Sequence, residues 1–402
     1  MITCPTRLHS HYILIGLNVL SSVLLELRAF SLPDPKVDFL PNQTLPSYAL
    51  EFAPYVYLHS QEIFYPADIK SFLTNVAPEV NYTVIPQFPS VMGSSSETYL
   101  HADKLGQGPD QSKVYLTSQS DIFKEPKDPW LYGVGPPDST GKSKAAAIII
   151  AMDKSQQVGP GWVDVFYLFF YAYNQGNYFY NNRFGDHVGD WEHTMIRFRD
   201  GKPVYVAPEA HGGEVVLGNG AFNFDVLEKK DNRPIMYPEV GIQNYTGLQI
   251  PIYDVTDKGH LWDLTQNYQA YYYSNEAGFS YTGDTPQAAQ DPNGLGWLEF
   301  LGYWGDQKYP ISNPHQTCIG SECFYDDGPL GPQSKSLSRG YICSSSDCKP
   351  QEHLPSILHT LSSPSNSANS SASHLLTGLN TLFTLSSSIL IIILINHTAF
   401  LI

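Results

Sequence analysis

The sequence predicts an all-β or β-rich fold, a two-sheet sandwich with long loops and a few short helices, formed by residues 45–350 as one domain. Three observations lead there. The chain carries 27 Tyr, 31 Gly and 30 Pro while only 15% of its residues are charged, which suits sheets joined by ordered loops. Apolar runs rich in β-branched and aromatic residues recur between turn residues. No internal repeat or linker divides residues 45–350, so one two-layer unit is the economical arrangement.

The elements follow in order. Residues 52–58, FAPYVYL, alternate as a strand. In YPADIKSFLTNVAP, Ile69, Phe72, Leu73 and Val76 fall at helical spacing, with Pro66 in the first turn and Pro78 as the stop. Residues 92–113 are Gly/Ser-rich and polar, an exposed loop. KAAAIIIAMD and WVDVFYLFFYAYN form a hairpin across KSQQVGPG. DWEHTMIRF and KPVYVAPE are two further strands joined by RDG. From residue 240 onward short Tyr- and Gly-rich strands are expected.

The ends of the chain indicate its compartment. Residues 13–25, ILIGLNVLSSVLL, follow Arg7 and are short for a bilayer span, and Ala29 and Ser31 sit at a cleavage spacing. Residues 1–31 therefore read as a secretory signal peptide, with an uncleaved signal anchor as the alternative. Residues 351–374 are a Ser/Asn-rich disordered spacer, and 375–402 an apolar tail with no basic residue after it. That pattern describes a GPI-anchor signal with attachment at Asn366, Ser367, Asn369 or Ser370; the alternative is a C-terminal transmembrane helix. A mature chain of residues 32–366 on the outer or luminal side of a membrane follows, held by a lipid anchor, at the plasma membrane or wall or on the way to a vacuole. Three sequons, at Asn42, Asn81 and Asn244, agree with this route.

Charge and cysteines narrow the function. A net charge of −16 argues against nucleic-acid binding and against anionic surfaces held by charge alone. Of five cysteines, Cys4 leaves with the signal peptide, and Cys318, Cys323, Cys343 and Cys348 are expected to form two disulfides of open connectivity. The wide C-x4-C spacing speaks against the rival Cys4 zinc site. GPPDSTGKSK imitates a phosphate-binding loop, but Gly135 is one residue too far from Gly141-Lys142-Ser143 and the stretch precedes a strand, so it is a turn.

The chemistry concentrates in RFGDHVGDWEHTMIRF, residues 183–198. Residues i and i+2 of a strand share a face, so Asp190 and Glu192 point together, while Trp191 and His193 face the other side. His187 lies on a loop between Gly185 and Gly189 that can fold its imidazole back beside the carboxylates. Two carboxylates and an imidazole suit a divalent cation, Ca, Mg or Mn. EAHGGE, after the following strand, adds His211 and Glu214 as second contributors, and Asp186 is a third. The plain alternative is that the acids hydrogen-bond to loop amides and pair with Arg183 or Arg197.

Several long stretches carry a family resemblance: FAPYVYLHSQEIFYPADI, PPDSTGKS, VDVFYLFFYAYNQGN, RFGDHVGDWEHTMIRF, EAHGGE, YDVTDKGHLWD and GYWGDQKYP. Over about residues 48–350 the chain resembles the vacuolar protein sorting-associated protein 62 family of fungi, whose plant relatives are described as a domain of unknown function. The resemblance implies a role in vacuolar protein sorting. DHVGDWE is also similar to the Gly-His-Arg-His-Asp-Trp-Glu signature of secreted necrosis-inducing proteins. That short likeness implies a cation held by His187, Asp190 and Glu192, a β-sandwich and membrane glycosphingolipid targets, as a site analogy only. The sequence departs from the nearer family after RPIMY. PEVGIQNYTG puts Gln243 where a His is expected, through loss of a ligand or of residues at a splice junction.

Three functions are then expected in order. The first is a secretory-route glycoprotein whose cation site binds a glycan or glycolipid head, with Trp297 and Trp304 available for sugar stacking although such residues are more often core. The second is a metal-dependent hydrolase with Glu192 or His211 as general base. The third is a structural surface or sorting protein without a ligand site.

Overall fold

β-Structure dominates the computed structural model, which describes residues 44–85, 111–179, 182–209, 220–237, 258–284, 295–342 and 349–353. All of these lie in the compact unit Met1–Leu354. In chain order the elements are α1 (Ser47–Glu51), β1 (Tyr55–Leu58), α2 (Ile69–Thr74), β2 (Val76–Val80), β3 (Thr83–Val84) and β4 (Tyr115–Ser118). Then come β5 (Ala147–Asp153), β6 (Trp162–Asn174), β7 (Asn177–Phe179), β8 (Asn182–Phe184), β9 (His187–Arg199) and β10 (Lys202–Glu209). The remainder are β11 (Phe222–Asn223), β12 (Lys229–Lys230), β13 (Arg233–Met236), β14 (His260–Asp263), β15 (Tyr268–Ser274), β16 (Gly278–Tyr281), α3 (Gly296–Glu299), β17 (Cys318–Ile319) and β18 (Glu322–Cys323).

A seven-stranded sheet in the order β11-β10-β9-β6-β5-β15-β16 carries the fold. The predicted hairpins form as read: β5 pairs with β6 and β9 with β10, both antiparallel. The pairing of β6 with β9, from Trp162↔Arg199 to Asn174↔His187, makes these two 13-residue strands the spine. β15 joins β5 in parallel, a long-range partnership that no local pattern announces. A second sheet, β12-β13-β1-β14, and a third, β3-β2-β4, complete the main layers.

Both faces of the spine are covered, which is why β6 reads as a nearly continuous hydrophobic run and why the polar side chains of β9, Asp190, Glu192, His193, Thr194 and Arg197 among them, are buried too. On one face Phe169 packs on Trp262 of β14, and Phe198 packs on Tyr48 of α1. Tyr167 there donates its hydroxyl hydrogen to the Ala49 carbonyl at 2.6 Å. On the other face Phe170 and Trp191 meet Trp304, with Phe72 and Trp297 beside it. Trp297 and Trp304 are thus buried core residues and offer no exposed platform for a sugar. Each well-oriented aromatic pair adds about 0.5–1.5 kcal/mol to the burial of its area.

Local rules account for the boundaries. α2 begins at Ile69, because Asp68 accepts the Ser71 N–H at 2.7 Å as N-cap. Pro66 lies upstream of the helix in a bridge to Tyr171, where the segment before α2 runs beside β6 beyond the end of its pairing with β5. The helix stops at Thr74, and Pro78 falls within β2. The first predicted strand shortens to Tyr55–Leu58, since α1 runs to Glu51 and Phe52 caps it. Of the predicted loop 92–113, residues 111–113 form a 3-10 turn and 92–110 lie outside the described residues. Among the described residues no helix is long and apolar enough to cross a membrane.

Candidate functional site

β9 opens the site. Asp190 and Glu192 share a face, with Tyr171 and Phe169 directly opposite on β6. Trp191 and His193 take the other face, where His193 lies against the Phe166 ring. Both carboxylates are buried, at 2% and 4% exposure, because the sheet is covered on both sides even near the strand end. Gly189 has φ +70°, which interrupts the extended alternation between His187 and Asp190. His187 Nε2 thereby comes to 3.8 Å from Asp190 Oδ1. The other Asp190 oxygen accepts a 2.8 Å hydrogen bond from the Asn174 amide at the end of β6.

The imidazole is oriented from behind. His187 Nδ1 lies 2.8 Å from the Gly185 carbonyl oxygen. A carbonyl only accepts, so Nδ1 carries the proton. In the neutral ring the lone pair is then on Nε2, the nitrogen turned toward Asp190. This is how metal-ligating histidines are commonly held, one nitrogen bonded to a carbonyl and the other presented to the ion.

Asp186 has a different role. Arg183 Nε donates to its two oxygens at 3.0 and 3.2 Å, Tyr173 donates its hydroxyl hydrogen at 2.7 Å, and the Gly176 N–H donates at 2.8 Å. Its backbone is stitched to the chain after β18: Asp186 N–H donates to the Phe324 carbonyl and the Asp326 N–H to the Asp186 carbonyl, both at 2.9 Å. Asp186 anchors the loop that leads into His187. Arg197, the other basic residue of the stretch, forks onto Asp164 at 2.7 and 2.8 Å at the far end of the strand pair.

Two buried carboxyls outside the predicted site, Glu62 and Asp306, have a displaced titration. Burial pushes Glu62 up to about 7, against the N–H groups of Phe64 and Ile63 that its carboxylate accepts. Burial pushes Asp306 up to about 6; the Tyr309 hydroxyl and the Ser118 N–H pull it down and the Glu79 charge pushes it up. Sequence reading missed both, along with Asn174 and the Gly185 carbonyl. Only Asn174, a polar end to an apolar strand, left a signal in the sequence.

Among the described residues, no three His, Cys, Asp or Glu side chains converge closely enough to hold an ion. His211 and Glu214 lie outside the described residues, as do Asn42, Asn244, Gln243, Cys343, Cys348 and the anchor candidates Asn366, Ser367, Asn369 and Ser370. β10 ends at Glu209, which pairs with His193, six residues along β9 from His187. Cys318 and Cys323 form a disulfide that closes the β17–β18 hairpin. Asn81 is exposed in the tight turn between β2 and β3.

Sheets and strand end together define a β-rich protein with a buried acidic pair and an oriented imidazole toward one end of β9, beside the central strand β6. The chain belongs to the vacuolar protein sorting-associated protein 62 family. It is 31% identical to vacuolar protein sorting-associated protein 62 of Saccharomyces cerevisiae over 334 residues, 74% of this chain and 68% of that protein. It is 33% identical over 336 residues, with the same coverage, to a second protein of that yeast, TDA6, which also carries a vacuolar protein sorting-associated name. No protein-family model matches the sequence. A solved structure, Necrosis and Ethylene inducing Protein 2 from the causal agent of cocoa's witches' broom disease, aligns with 52% of this chain and 68% of its own. At 13% identity and a TM-score of 0.23, that likeness carries no inference about fold or site.

Proposed function

We propose that this chain serves vacuolar protein sorting as a secretory-route glycoprotein that binds a divalent cation at His187 and Asp190 and, through it, the hydroxyls of a glycan or glycolipid head. The relatives' names support the sorting role. The observation that carries the site is the His187 ring, fixed by the Gly185 carbonyl with Nε2 directed at Asp190. Glu192 follows Asp190 on the same face, about 7 Å further along the strand. Carboxylate oxygens and one imidazole favour Ca, Mg or Mn, and a cation would add a counter-charge beside the buried Asp190 carboxylate. His211 and Glu214 are the further ligands this reading calls on. Hard cations of this kind keep open positions that sugar hydroxyls can fill.

The secretory reading rests on the terminal segments and on Asn81, whose exposed turn would accept a glycan. A lipid anchor at one of the four C-terminal candidates would hold the domain at a membrane.

Thermal unfolding of the protein in EDTA, and then with added Ca, Mg or Mn, tests the site. At 100 times the dissociation constant a bound ion stabilises by about 2.7 kcal/mol, so the midpoint rises in wild type and stays level in Asp190→Asn. A midpoint indifferent to every ion overturns the reading.

A further inference from the structure

The loop that orients His187 is not held by its own strand alone. Gly185 uses both of its backbone groups: its carbonyl accepts the hydrogen bond from His187 Nδ1, and its N–H donates to the Cys323 carbonyl at 2.8 Å. The next residue continues the ladder, Asp186 N–H to Phe324 and Asp326 N–H to Asp186. Asp186 and Tyr325 form a parallel bridge, and Phe184 packs edge-on against Phe324 at 5.1 Å. The strand on which the loop is laid is therefore the arm that leaves the β17–β18 hairpin. That hairpin has only two residue pairs, Cys318↔Cys323 and Ile319↔Glu322. Two-residue strands are too short to persist unaided. Ile319 is 64% exposed and adds little packing. The Cys318–Cys323 bond is the covalent constraint on the arm at this point, beside the Gln316 side chain, which accepts from the Tyr325 N–H at 3.0 Å and donates to its carbonyl at 2.7 Å.

We propose that the Cys318–Cys323 disulfide is a positioning element for His187, so that the cation affinity of the strand-end site depends on the oxidation of this bond. The inference rests on the cation reading of that site. Its chemistry is ordinary: two electrons and two protons from a dithiol convert the bond into two thiols, and the dithiol closes to its own disulfide. Opening the bond frees the hairpin, loosens the Gly185 and Asp186 hydrogen bonds, and lets the imidazole leave its orientation toward Asp190. Outer partners of a metal ligand change affinity by about 10- to 100-fold when lost, and the same range is expected here. β6 and the core of β9 do not depend on the hairpin, so the change stays local.

The test compares wild type with the Cys318→Ser/Cys323→Ser variant, with and without Mn. Hydrogen–deuterium exchange is read on peptides covering residues 183–190, and on peptides from the centres of β5 and β6 as an internal reference. The variant is expected to exchange about 10-fold faster at 183–190 alone, and to bind Mn about 10-fold more weakly or worse. Wild type treated with a dithiol should show the same local change at 183–190, reversed by reoxidation. Unchanged exchange at 183–190 overturns the proposal, and so does acceleration spread evenly through β5 and β6, which would make the bond a general fold constraint. Exchange that rises locally with Mn affinity unchanged also overturns it. If wild type takes no cation at all, the functional reading fails by itself, and the exchange comparison still decides whether the disulfide positions the loop.

Discussion

Gly189 lies so close to the Trp304 carbonyl that a Cβ on it would sit 1.8 Å from that oxygen. Its φ of +70° adds a second reason for glycine. The neighbouring contact has the same character, since a Cβ on Gly305 would be 1.9 Å from the Val188 carbonyl oxygen. The start of β9 is thus pressed backbone to backbone against the segment that carries the Trp304 ring. Gly189→Ala is expected to destabilise the protein by about 3 kcal/mol or more, from strain and displaced packing together. Because Gly189 stands between His187 and Asp190, cation response should fall with it. A melting midpoint within a degree of wild type would contradict this.

Asp164 and Arg197 are paired across β6 and β9 in the interior, with Lys154 3.5 Å from the same carboxylate. Arg197 also donates to the Gly340 carbonyl at 2.8 Å, and Lys154 to the Leu337 and Arg339 carbonyls. The cluster ties residues 337–341 to the sheet. Asp164→Asn should cost about 3–5 kcal/mol, because it leaves two buried cations facing each other. The double substitution Asp164→Leu/Arg197→Met should cost less than the sum of the two single ones. Denaturant unfolding of the four proteins checks this, and strict additivity would count against a coupled pair.

Stability should increase as the pH falls from 7 toward 4. Glu62 and Asp306 have folded-state pKa values of about 7 and about 6, above their ordinary values of 4.5 and 3.8. The folded protein therefore holds more protons than the unfolded chain in that window, and the stability these groups contribute is lost as pH rises through about 6 and about 7. Asp263 is held below its ordinary value: burial pushes it up, but the Arg233 and Thr265 hydrogen bonds outweigh that, and its effect falls below this window. For Asp306 the shift corresponds to about 3 kcal/mol between the ends of its range. Asp306→Asn keeps an acceptor for the Ser118 N–H and should flatten the midpoint-against-pH curve relative to wild type. An unchanged slope would refute the assignment.

Much of the scaffold was legible in the residues. WVDVFYLFFYAYN and the run through DWEHTMIRF are long and strongly β-forming, and RDG between β9 and β10 fixes their hairpin. The common face of Asp190 and Glu192 followed from strand periodicity. The parallel partnership of β5 with β15 did not, because it joins residues more than a hundred positions apart. Nor did the division of labour among the acids. Asp186 and Asp190 look alike in GDHVGDWE, yet one meets Arg183 and Tyr173 and the other Asn174 and His187, and this is decided by tertiary neighbours. The pairing of Cys318 with Cys323 selects one of the connectivities that spacing left open for these two residues.

The central claim is that His187 and Asp190 receive a divalent cation. Calorimetric titration of Mn into EDTA-stripped protein, with Asp190→Asn and His187→Ala in parallel, tests it most directly. The account predicts one saturable site in wild type, weakened at least tenfold in each variant while their folding is retained. Wild type that takes up no Mn, or variants that bind as tightly as wild type, would contradict it and leave the strand end as a purely structural joint.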